Sequence, residues 1–222
     1  MASAARPALD RHQWPAWSGG GIVPDMNQTS ATSSPDATDP HQGWGALSEL
    51  PGNPIMWVLI ISELLVFGAF FVAFGIARML DVETFRAGQA LLDVRMGGLN
   101  TLVLVTSGWL AAKAVRKGAE GRGRGARRHL AGAGALGVVF LVVKGMEYAG
   151  KAAQGIDIET NTFFTLFYLM TGFHAMHVVM GVIVLIIVGW KNSQDNLETG
   201  AAFWHMVDLI WLILFPIVYL LR

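Results

Sequence analysis

Cysteine is absent from the 222 residues, so the chain can form no disulfide, hold no metal through thiolates and use no thiol nucleophile. Charge is scarce as well: 14% of residues are charged, and 16 basic side chains are balanced by 16 acidic ones. That balance leaves no global basic field to suit nucleic acid. The only imidazoles are His12, His41, His129, His174, His177 and His205. No HExxH, calcium-loop or CxxCH pattern occurs. Internal repeats and matched broken segments, the marks of many secondary transporters, are missing too.

What the chain has in abundance is apolar surface: 53% hydrophobic residues and a mean hydropathy of +0.47 point to a membrane protein. Residues 1–50 differ from the rest. QTSATSSPDATDP (28–40) has the composition of a disordered segment, too poor in apolar groups to offset chain entropy. No apolar core follows a basic start there, so this stretch reads as a disordered cytoplasmic tail rather than a secretory signal. Its Trp14, Trp17 and Trp44 suit the headgroup level or a partner.

From Pro54 five apolar spans follow within a membrane domain of residues 51–222. They predict an all-α, five-helix transmembrane bundle with helices near 54–77, 97–117, 129–150, 162–190 and 201–221, because hydrocarbon leaves an open strand edge unsatisfied. Loops of roughly 10 to 21 residues are expected between them. Gly97, Asn100, Gly108 and Ala111 on the second span, and Gly132, Gly134 and Gly137 on the third, suit close helix contacts. Pro216 removes a backbone bond late in the fifth span and predicts a kink. Lys113, Arg116, Lys117, Arg122, Arg124, Arg127 and Arg128 crowd one loop. Adding Arg6, Arg11 and Lys191 puts ten basic residues on one side, against five (Arg78, Arg86, Arg95, Lys151, Arg222) on the other. The excess places the N-terminus inside and the C-terminus outside, as expected in a bacterial plasma membrane.

The ionisable residues within the spans are the candidates for function, since each is costly in hydrocarbon unless it faces protein. His174 and His177, three apart, share a helix face with Phe167, Met170, Gly181 and Val188. Glu63 lies about 14 Å into the first helix, within a stripe of Phe67, Phe70 and Phe74, and must be protonated or find a partner. By helical rise His177 and Asp208 lie about 20 and 10 Å deep, with His205 one turn shallower than Asp208. Depth matching therefore predicts a buried polar cluster of Glu63, His174, His177, His205 and Asp208, structural or proton-related, with a Glu63–His177 pairing. Lys144 and Glu147, three apart near the outer end of the third helix, predict an outer ion pair or a snorkelling lysine. The histidines are too unevenly placed for a metal or haem site, so no catalytic, cofactor-binding or metal-ligating residue is assigned.

Five motifs in order resemble subunit III of the haem–copper respiratory oxidases. TGFHAMHVVMGVIVLI (171–186) resembles that family's TGxHxxHVxxG, and FWHMVDLIWLILFPIVYL (203–220) its closing aromatic-WHxVDxxW segment. ISELLVFGAFFVAF (61–74) resembles the segment with the embedded glutamate; LNTLVLVTSG (99–108) and GMEYAG (145–150) are similar to two more. The resemblance implies a subunit without redox centres, packed against catalytic subunit I, which holds the haem and copper. It implies a part in sustained turnover and proton uptake during aerobic electron transport, with the embedded glutamate at Glu63, the histidine pair at His174 and His177, and the closing pair at His205 and Asp208. Phospholipid is the one ligand it suggests, although the two helices that help form the lipid cleft of larger members have no counterpart here. The short chain, whose first helix MWVLIISELLVFGAFFVAF has fewer aromatics than oxidase members usually show, is also similar to subunit-III-like proteins that accompany nitric oxide reductases in denitrification, which leaves that accessory role as an alternative. A small proton-coupled transporter using Glu63 is the second.

Overall fold

The computed structural model describes residues 54–191 and 193–221. Five helices are long and apolar enough to cross a bilayer, and no strand occurs among the described residues. They are α1 (Pro54–Leu80), α3 (Val94–Ala119), α4 (Gly123–Ala152), α5 (Thr162–Lys191) and α6 (Gln194–Phe215). The tail expected over 1–50, with its three tryptophans, lies outside the described residues.

Three features depart from the expected layout. A short helix, α2 (Val82–Ala90), lies within what reads as a loop between the first two spans. It opens on Asp81, whose carboxylate accepts the Thr84 amide. It buries Phe85 against Phe74 and Phe163, with ring centroids 5.0 and 5.5 Å away. The other loops are shorter than expected, because α4 and α6 extend past the hydrocarbon-like windows into polar sequence. Only residues 120–122 separate α3 from α4, with Gly121 at φ +71° making the turn. Just 192 and 193 separate α5 from α6.

The third departure is at Pro216. Lacking an N–H, it cannot donate to the Leu212 carbonyl, and the chain widens into a π-helical turn, Pro216–Leu220, instead of a simple kink. Carbonyls at such an end need donors from elsewhere. The buried Gln89 of α2 donates its amide to Val218 O at 3.0 Å and Ile217 O at 3.4 Å, while Arg78 reaches both Gln89 Oε1 and Leu221 O. Gln89→Ala should leave those carbonyls short of donors at a cost of about 1–3 kcal/mol. Faster carboxypeptidase trimming of the variant checks this; trimming at the wild-type rate would refute it.

The antiparallel register of α5 and α6 is readable from three meetings: Gly181 with Trp204, His174 with Trp211 and Phe167 with Tyr219. They recur at about two-turn steps, so the helices run side by side along most of their length. The Trp204 ring fills the space that Gly137 of α4 and Gly181 leave open, and its indole N–H donates to Ser107 Oγ of α3 at 3.0 Å. Ser107 in turn donates to Ala133 O at 2.7 Å. One side chain of α6 thus ties α3, α4 and α5 together. Gly97 gives way to Phe215 and Tyr219 in the same manner, whereas a Cβ at Gly134 would meet nothing.

Candidate functional site

The polar residues predicted as one cluster fall into two pairs and a lone ring. Glu63 and His177 meet between α1 and α5, with Oε2 3.1 Å from Nε2. His177 is buried and Glu63 one-fifth exposed. The other ring nitrogen, Nδ1, lies 2.8 Å from Phe173 O. A carbonyl only accepts, so Nδ1 carries a hydrogen and Nε2 is the atom left to face the carboxyl. The short Nε2–Oε2 contact is off the line of a hydrogen bond, and Oε2 takes no hydrogen bond from any described group. One proton placed on either atom makes the pair neutral overall; removing it leaves a single negative charge. Phe67 seals one side of the pair, its ring 5.5 Å from His177 and edge-on to it.

His174 does not join that pair. It is fully buried, and Phe140, Trp211 and Phe67 surround it at 5.5, 5.2 and 6.3 Å. Neither ring nitrogen has a hydrogen-bond partner among the described residues, so His174 is held as an aromatic ring among aromatic rings. Asp208 and His205 make the second pair, on α6, with Oδ2 3.8 Å from Nδ1, too long for a hydrogen bond. Asp208 stands 14 residues after Gln194 and His177 14 before Lys191, so the two are level. They nonetheless point apart: Asp208 packs on Gly108 of α3, His177 on Glu63 of α1.

The outer ion pair forms, in a buried setting. Lys144 Nζ and Glu147 Oε2 are 2.9 Å apart, but both residues are buried and the lysine does not snorkel. Tyr219 of the π-helical turn completes the site. Lys144 donates to its hydroxyl at 2.7 Å, and that hydroxyl donates to Glu147 at 2.8 and 2.9 Å. The ammonium also sits 4.6 Å from the centre of the Phe167 ring, with Tyr148, Tyr219 and Trp211 slightly farther. Tyr219 was legible only as part of an apolar helix end. A tyrosine near the outer end of one span, opposite a Lys–Glu step on another, was the available signal.

His174, His177 and His205 do not fit a haem or a copper ion. Aromatic rings enclose His174, His177 has one nitrogen turned to a carbonyl and the other to a carboxyl, and His205 stands apart on α6. Among the described residues no three His, Asp or Glu side chains gather at metal-binding spacing. The site is a set of paired charges and hydrogen bonds joining helices across a membrane interior.

Fold and site together define a multi-pass membrane protein whose polar interior links its own helices. The family model described as "Cytochrome c oxidase subunit III" matches residues 53–222, and the chain belongs to that family. A protein named cytochrome c oxidase subunit 3 from Thermostichus vulcanus is 33% identical over 176 residues, which cover 74% of this chain and 84% of that relative. Another of that name from Synechocystis sp. is 27% identical over 173 residues, covering 74% of this chain and 73% of the relative. A heme-copper oxidase subunit I+III from Aeropyrum pernix is 28% identical over 179 residues, or 22% of its own length.

Proposed function

We propose that this chain is the subunit III of a membrane haem–copper oxidase, silent on its own, which packs against the catalytic subunit I and sustains its turnover and proton uptake. The observation that carries the reading is the family match, which runs the length of the described bundle. Haem and copper then belong to the partner, and phospholipid is the only ligand proposed for this chain. The relatives named above are oxidase subunits, which favours an oxidase over a nitric oxide reductase as the partner and gives no support to a transporter. The fused relative supports subunit I as the neighbour. The ten-to-five excess of basic residues supports an inside N-terminus and an outside C-terminus in a bacterial plasma membrane.

Within that role Glu63 and His177, 3.1 Å apart between α1 and α5, are the pair assigned a proton-related part. Glu63→Gln keeps the shape and removes the ionisable carboxyl. The purified complex should keep its haem absorption bands, while its rate decays several-fold faster during turnover and proton uptake slows. Loss of a haem band in that variant would refute the silent role. Mild-detergent purification on a tag carried by this chain tests the assignment itself: a haem-bearing large subunit should come with it.

A further inference from the structure

The second polar pair poses a problem that the described residues do not solve. A groove of about 350 Å³ runs between α3 and α6, walled by Val105, Trp109, Ala112, Leu209 and Leu212 and floored by Gly108. Asp208 and His205 line it. The walls are apolar and open: Trp109, Leu209 and Leu212 are each about half exposed, on two spans that lie in the membrane. The groove therefore faces the hydrocarbon layer or whatever protein displaces it. Nearly half of the His205 side chain is exposed there.

Asp208 is more than nine-tenths buried, yet its Oδ1 has no hydrogen-bond partner among the described residues, and Oδ2 has only the distant His205. The bare Gly108 is what makes room for the carboxyl, since a Cβ there would lie 2.2 Å from Oδ2. A carboxyl so poorly matched is costly in hydrocarbon. Among the described residues no further donor lies close by: Lys113, one turn below Trp109, is held 3.5 Å over that indole ring. Asp208 is also about 21 Å up α6 from Gln194 by the helical rise, beyond the polar first two turns. A donor at that depth arrives most simply on another transmembrane helix, and the small Gly108 and Ala112 allow a close approach.

We propose that the α3–α6 groove seats a transmembrane helix of the catalytic partner subunit, which delivers a hydrogen-bond donor to Asp208. The inference rests on the oxidase-subunit reading and adds the face by which the bundle meets its partner. His205 flanks the seat, and Gly108 keeps the carboxyl in reach. The α1–α5 side, with Glu63 and His177, is left free of this helix.

Photo-crosslinking in intact membranes tests it. The full chain carries p-benzoylphenylalanine in place of Leu212, on the groove wall, or of Leu65, which is 70% exposed on α1. After irradiation, position 212 should couple to the haem-bearing subunit at least about tenfold more than position 65. Coupling from 65 in preference to 212, or coupling from 212 only to lipid, to a quinol or to a second copy of this chain, would overturn the docking face. Those results would leave the subunit reading standing, whereas a purified chain with no haem-bearing subunit at all would overturn both. Asp208→Ala, which unlike asparagine leaves no side-chain oxygen to accept the bond, is the second arm. The variant complex should lose its partner about tenfold faster on dilution, the factor that one interhelical hydrogen bond carries in a membrane, while the isolated chain melts as before. An isolated variant that melts lower but keeps its partner as tightly as the wild type would place the carboxyl's role inside the chain and overturn the proposal.

Discussion

Lys144→Met should be among the most damaging single substitutions in the bundle, costing about 3–5 kcal/mol because it leaves the buried Glu147 carboxylate without its cation. Among the described residues Tyr219 would be its remaining donor. The same physics predicts a rescue. Removing all three polar groups together, as Lys144→Met/Glu147→Met/Tyr219→Phe, leaves no orphan and should return most of the loss, since apolar replacements of buried ion pairs are often neutral. The rings of Phe167, Tyr148 and Trp211 already line that space. Denaturant unfolding in micelles, followed by tryptophan fluorescence, separates the two cases. A triple variant as unstable as the single one would mean that the triad stabilises by net attraction, not by mutual satisfaction. Its likeness to a latch is geometric: it fastens the turn after Pro216 to α4, and with Gln89 and Arg78 it fixes the C-terminal end of α6. The register that brings Trp204 and Asp208 to their places on α6 depends on that end.

The membrane architecture was legible in the sequence because hydrocarbon permits few solutions: five long apolar stretches had to be helices. Depth was legible only in part: Glu63 and His177 are 3.1 Å apart, but Asp208, read as about 10 Å shallower than His177, is level with it because α6 begins at Gln194 and not at 201. Direction around the helix axis was less so. His177 and Asp208 are level, yet one faces α1 and the other α3, and nothing in a residue count from the helix end reports that difference. Helix ends were misread for a related reason. Hydropathy marks where a helix enters lipid, so the polar QDNLETG turns that begin α6 read as loop. The helix α2 was hidden because it buries only Phe85, Gly88 and Gln89, and nine residues are too few for a period to stand out. Tyr219 was missed because its partners lie 72 and 75 residues away on another helix.

Gly181→Ala and Gly137→Ala should each cost about 1–3 kcal/mol, although alanine ordinarily strengthens a helix by about 1 kcal/mol over glycine. Which effect wins is decided by what the new methyl meets. At Gly181 it would lie 2.7 Å from Cε3 and Cζ3 of Trp204, and at Gly137 2.6 Å from Cη2 of the same ring. The ring has nowhere to retreat. The two glycines press it from α4 and α5, and its N–H is tethered to Ser107 of α3. Relief at one glycine therefore tightens contact at the other, and the double variant should lose more than the sum of the singles. Gly134→Ala supplies the control on the same helix as Gly137: its methyl meets no atom within 4 Å, so only the propensity gain remains and stability should hold or rise. Thermal unfolding of the isolated chain in one detergent compares all four variants. If Gly137→Ala and Gly134→Ala behaved alike, Trp204 would not be the pin that holds α3, α4, α5 and α6 together. A larger group at 181, such as leucine, should prevent the chain from accumulating in the membrane, because it would drive further into the ring that an added Cβ already meets at 2.7 Å.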